Sequence, residues 1–111
     1  MRAVQRIARP AYKSTLEADY ALALEAERRA GLVVWYAYEP LRLRLASGAW
    51  FTPDWLVQRA GGELAIDETK GWMREAARVR LLVAVERYPF FRWRKVTRER
   101  GLSFRREELT P

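Results

Sequence analysis

GELAIDETKGWMREAARVRLLVAVERYPFFRWRKV, residues 62–96, reads as strand, helix, strand, and that order decides which kind of sheet the chain builds. Alternation from Leu64 to Lys70 sets Leu64, Ile66, Glu68 and Lys70 on one face and Ala65, Asp67 and Thr69 on the other. From about Trp72 to Tyr88 the spacing turns helical: Ala76, Val79, Leu82, Val83 and Val85 are apolar, Arg74, Arg78 and Arg80 basic, and Pro89 stops the run. FFRWRKV follows as a further strand. Upstream, Ser14 is placed to cap a helix that ends before Gly31. Between them, Leu41, Leu43 and Leu45 alternate with Arg42 and Arg44, and the pairs Ser47-Gly48 and Gly61-Gly62 mark hairpin turns. The sequence therefore predicts helix, three strands of an antiparallel meander, helix, strand (α-β-β-β-α-β). A hairpin-linked set joined to one helical crossover makes a mixed sheet flanked by helices, of the α/β (α+β mixed-sheet) class. At 111 residues this is one domain, residues 1–111, with a basic N-terminal arm over 1–11 and a charged C-terminal tail over 97–111.

Composition narrows the chemistry. The chain has no Cys and no His, which excludes disulfides, thiolate or imidazole metal sites and histidine-based catalysis. Catalysis must then rest on carboxylates, Lys, Arg or hydroxyls, with any metal held by oxygen. The net charge of +7 is carried by 18 Arg and only 3 Lys, so a polyanion is the natural partner. No apolar run approaches the roughly 20 residues of a membrane span. The basic start lacks the apolar core of a secretion signal, and a cytoplasmic location is expected.

The strand ending in Glu68 and Lys70 carries two charges at the end of a core-facing row, and each needs a partner, a metal or solvent. Read by themselves, the two lie past the sheet edge as a solvated pair. Asp54 alters that reading. Pro53 cannot donate to a strand ladder, so Pro53-Asp54 marks a strand end, and the preceding hairpin strand can bring Asp54 beside Glu68. Two carboxylates and a Lys are a set suited to phosphodiester hydrolysis: carboxylates hold Mg²⁺, and Lys neutralises developing charge.

Pro53-Asp54, then Glu68-Thr69-Lys70, resembles the signature of the PD-(D/E)XK nuclease superfamily. Tyr12-Lys13-Ser14 with Glu17, Tyr38-Glu39-Pro40, Phe51 to Trp55 and Glu68 to Gly71 are more narrowly similar to small phage-encoded endonucleases of that superfamily, a group that includes Holliday junction resolvases. The resemblance implies a restriction-endonuclease-like core and a Mg²⁺-dependent DNA endonuclease, with Mn²⁺ as a substitute, in a bacterial or phage-infected cell. Asp54, Glu68 and Lys70 would be catalytic. Asp54, Glu68 and the Thr69 main-chain carbonyl would hold the metal, with Glu17 as a further catalytic carboxylate acting directly or through water. Branched DNA such as a four-way junction would be the substrate. Symmetric cuts by so small a chain call for a homodimer, with apolar residues such as Trp35, Trp50 or Phe91 as interface material. A nicking, restriction-like or packaging-linked nuclease is the alternative within the class; an inactive basic DNA-binding module is the alternative outside it.

The remaining residues carry two readings each. Ser14-x-x-Glu17 is also a capping box, in which the carboxylate only satisfies a helix-start N–H. Glu39 either faces the site or sits exposed, and Asp67 is structural or on the surface. Lys13, Ser14, Arg74 and Arg78 are placed for DNA phosphates, and Arg92, Arg94 and Lys95 around Trp93, together with Arg2, Arg6 and Arg9, form a second basic surface. For Arg74 and Arg78 a solvated face with salt bridges to Glu75 or Glu86 is the plain alternative.

Overall fold

The computed structural model describes residues 12–70 and 73–111; the N-terminal arm, Gly71 and Trp72 lie outside them. In chain order the elements are α1 (Thr15–Arg29), β1 (Val33–Tyr38), β2 (Leu43–Ala46), β3 (Ala49–Phe51), β4 (Trp55–Arg59), β5 (Leu64–Thr69), α2 (Glu75–Arg87), β6 (Arg92–Arg100) and β7 (Ser103–Leu109). Five strands form a mixed sheet in the order β1-β4-β5-β6-β7. Its one parallel pair, β5 with β6, is the pair joined through α2, as the crossover argument requires. The class is α+β.

α1 starts and ends where its residues dictate. Ser14 Oγ accepts the Glu17 N–H at 3.2 Å. At the other end the N–H groups of Gly31 and Leu32 bond the carbonyls of Arg28 and Glu27, which requires the positive φ of +83° at Gly31. The meander departs from expectation. β1 pairs not with the next strand but with β4, and β2 and β3 form a separate two-stranded hairpin inserted between them. The chain leaves β1 through Glu39, whose φ of +47° lies in the left-handed region, and Pro40, which cannot continue a ladder.

Both faces of the sheet are covered. Tyr20 and Leu24 of α1 pack with Trp55, Val57, Ala65 and Val96 on one side; Leu81, Ala84 and Val85 of α2, with Leu43 and Leu45 of the hairpin, cover Ile66 and Trp93 on the other. The single core face expected for β5 is therefore corrected: it is a central strand, buried on both sides from Ala65 to Thr69. The apolar side assigned to α2 is corrected too, because Val79, Leu82 and Val83 are exposed while Leu81, Ala84 and Val85 face the sheet.

The charged tail also turns out to be sheet. β6 runs on to Arg100 and β7 returns antiparallel beside it, the turn taken by Gly101 at φ +51°. Its inward-facing arginine is answered from within the fold. Arg106 forms a two-pronged pair with Glu27 and also donates to Tyr20 Oη, while Phe104 packs edge-on against the Tyr20 ring. Arg94 and Asp67 meet nearby in a buried bidentate pair at 2.7 and 2.8 Å, and the Tyr20 hydroxyl donates to the same carboxylate. Asp67 is thus structural. Arg94→Ala would strand it without a counter-charge, so urea denaturation of that variant is expected to show a loss of about 3–5 kcal/mol.

Candidate active site

The site lies where β4 begins and β5 ends. Trp55 is registered opposite Asp67, so Asp54, just before β4, comes level with Glu68. The contacts there are tight: the Asp54 N–H donates to Glu68 Oε1 at 2.5 Å, and Asp54 Oδ2 accepts both the N–H and the hydroxyl of Thr69 at 3.0 Å. Pro53, fully buried, fixes the approach, and the Asp54 carbonyl accepts the Glu39 N–H at 2.7 Å. Each carboxylate is thereby held by main-chain groups of the opposing segment. Lys70, anchored through its N–H to the Val96 carbonyl, places Nζ 3.9 Å from both Asp54 Oδ2 and Glu68 Oε2.

These carboxylates are short of positive charge. Burial pushes Asp54 up to about 6 even though Lys70 opposes the shift. Burial, reinforced by the Asp54 charge, pushes Glu68 up to about 8. The folded protein therefore binds protons here that the unfolded chain does not, so the site's contribution to stability is present below the ordinary carboxylate range and is lost as pH rises through about 6 and then about 8. The melting temperature of metal-free protein is expected to fall between about pH 4 and pH 9 by roughly 10 °C or more. Glu68→Gln should flatten the upper part of that fall, as a melting series across the range would show.

The donor chemistry suits a hard divalent cation. Glu68 Oε2 and Asp54 Oδ1 receive no hydrogen bond among the described residues, and the Lys70 ammonium stands off at 3.9 Å. Among the described residues no three acidic side chains converge tightly enough to enclose a metal.

Glu17 is brought near but bound otherwise. Its Oε1 accepts the Lys13 N–H at 2.8 Å and the Tyr38 hydroxyl at 3.1 Å, a cap one residue displaced from the expected box. Its charge still raises both Asp54 and Glu68, so it belongs to the same electrostatic neighbourhood. Lys13 reaches across to Glu39 in an ion pair, with Nζ 2.6 Å from Oε2. Glu39 therefore faces the site's edge rather than open solvent.

A cleft of about 480 Å³ opens over Asp54, Glu68 and Lys70, walled by β3, by Lys13 and by α2. The cation that α2 brings to it, beside Ala77 and Leu81, is Arg80, which the sequence pattern did not mark as a site residue. Arg80 shares the helical phase of Ala77, Leu81 and Ala84, the buried side of α2. Arg78 points elsewhere, paired with Glu75 at 3.7 Å and sharing a shallow groove with Lys95, and Arg74 sits at the N-cap of α2. Of the second basic surface expected around Trp93, Arg94 is taken up by Asp67 in a buried pair and Arg92 by Glu63 and Glu108 in exposed ones, Lys95 forms no ion pair among the described residues, and Arg2, Arg6 and Arg9 lie outside them. Ser14 is occupied as a cap. Thr69, expected to offer its carbonyl, orients Asp54 with its N–H and hydroxyl.

Comparison with protein-family models, with curated proteins and with solved structures finds no match for this chain.

Proposed function

We propose that the chain is a divalent-cation-dependent DNA endonuclease with a PD-(D/E)XK-type site on a restriction-endonuclease-like core. The observation that carries this reading is the convergence of Asp54, just before β4, with Glu68 and Lys70, at the end of β5, in a cleft of a strongly basic protein. Mg²⁺ held by Asp54 and Glu68 would supply charge neutralisation and an activated water. Lys70 donates to a non-bridging phosphate oxygen, where its charge opposes the negative charge that builds up as the bond to the leaving oxygen breaks. Thr69 and the Asp54–Glu68 hydrogen bond fix the carboxylate orientations before substrate arrives, which limits reorganisation in the reaction. Arg80 and Lys13, on the cleft walls, hold flanking phosphates. Glu17 acts on the site through its charge and by fixing the Lys13 main chain.

Branched DNA is the substrate proposed, on the motif resemblance to junction-cutting enzymes. Two sites in a two-fold homodimer would supply its paired cuts. Exposed Trp35, at 47% accessibility, is available to such an interface, while Phe91 is packed against the α2-side core. No helix among the described residues is long and apolar enough to cross a membrane. The test is incubation with Mg²⁺ and end-labelled linear, single-stranded, flapped and four-way DNAs. Preferential, Mg²⁺-dependent cutting of the four-way substrate is expected; equal cutting of linear duplex would favour a nicking or restriction-like enzyme, and no cutting of any substrate would leave a binding module.

A further inference from the structure

The β2–β3 hairpin stands outside the main sheet and has one face unused by the core. Leu43 and Leu45 point inward, and the Tyr88 hydroxyl ties the hairpin to the end of α2 through the Arg44 carbonyl at 2.6 Å. The opposite face presents Arg42, Arg44 and Trp50. Trp50 is paired across the hairpin with Arg44, is 44% exposed and carries the Arg42 guanidinium 4.6 Å from its ring centre. Neither arginine forms an ion pair among the described residues, unlike Arg92, Arg94 and Arg106 on the far side of the sheet. Trp50 also lines the cleft that holds Asp54 and Glu68.

We infer that this hairpin face is a subsite for a single DNA strand, in which an unpaired base stacks on Trp50 while Arg42 and Arg44 hold the adjoining phosphates. The Arg42 guanidinium over the Trp50 ring is a favourable cation–π contact, and an exposed indole flanked by two cations that no carboxylate pairs among the described residues is the combination that stacks a nucleobase and holds its phosphates. A nucleobase stacks there only when it is free of its own stack, because a base inside duplex DNA offers no face to the protein. The cleft would therefore take a strand with an unpaired nucleotide beside the cleavage point, as occurs at a branch, a flap or a single-stranded end. This specifies the substrate of the proposed nuclease and rests on that reading for its link to cleavage.

The experiment measures binding alone, by fluorescence anisotropy in EDTA, with a labelled oligothymidylate of about a dozen nucleotides and a blunt duplex of equal length. Trp50→Ala is expected to weaken binding to the single strand about tenfold or more and to the duplex by less than about twofold, with Trp50→Phe keeping most of the affinity. Arg42→Gln should lower the salt dependence of single-strand binding by about one counterion. Unchanged single-strand affinity in Trp50→Ala would overturn the inference, as would an equal loss on both ligands. Cleavage assays separate the two claims: a protein that cuts branched DNA but is indifferent to Trp50→Ala refutes the subsite and keeps the nuclease, whereas one that cuts nothing but shows the selective loss does the reverse.

Discussion

Asp54→Ala and Glu68→Ala are each expected to abolish DNA hydrolysis, by at least about three orders of magnitude, while DNA binding stays intact or strengthens. The direction follows from the charge at the site. Burial raises the proton affinity of both Asp54 and Glu68, and the Asp54 charge raises that of Glu68 further, so a phosphate approaching them meets repulsion until a cation or proton answers it. Removing either carboxylate removes repulsion and a cation ligand at once. Single-turnover cleavage and metal-free binding titrations of the same preparations read the two effects separately. Substantial cleavage by either variant would place the chemistry elsewhere. Either variant relieves a carboxylate whose proton affinity burial raises, while Asp54→Ala also takes the acceptor from the Thr69 N–H, so the melting temperature of each is measured beside its activity.

Lys70→Ala is expected to lower the cleavage rate by about 10²–10³-fold, and raising Mg²⁺ should not restore it. An ammonium cannot ligate a cation, so its contribution is to charge developing on the phosphate. Its position 3.9 Å from both carboxylates supports that role: it is close enough to share their field, yet the separation leaves room between them. The rate measured across a Mg²⁺ titration distinguishes this from a change in metal affinity. Full rescue at high Mg²⁺ would assign Lys70 to holding the carboxylates.

Much of the site was legible because its parts are short-range. Glu68 and Lys70 share a strand face by alternation, and Pro53 announces the strand end that brings Asp54 level with Glu68. The α2 crossover fixed the parallel pair in the same way. Three features were hidden for identifiable reasons. The β2–β3 insertion is invisible to pattern because adjacent strands in sequence are expected to pair, and only the left-handed turn at Glu39 breaks that sequence. β7 escaped because its inward residue Arg106 is charged, answered by Glu27 from a helix far away along the chain. Arg80 escaped because α2 is apolar on nearly every side, so Val79 and Val83 obscured the phase that Ala77, Leu81 and Ala84 define. That phase is still a usable signal, since small residues mark the side that approaches the sheet.

The central claim is that Asp54 and Glu68 together form a divalent-cation site. Calorimetric titration of Mn²⁺ or Mg²⁺ at pH 7, repeated in two buffers of different ionisation enthalpy, tests it most directly. With Glu68 raised to about 8, cation binding must displace its proton, so the wild-type protein is expected to bind the cation with net proton release, and Glu68→Ala to lose both binding and release. Cation binding that is the same in wild type and Glu68→Ala, with no protons released, would contradict the account.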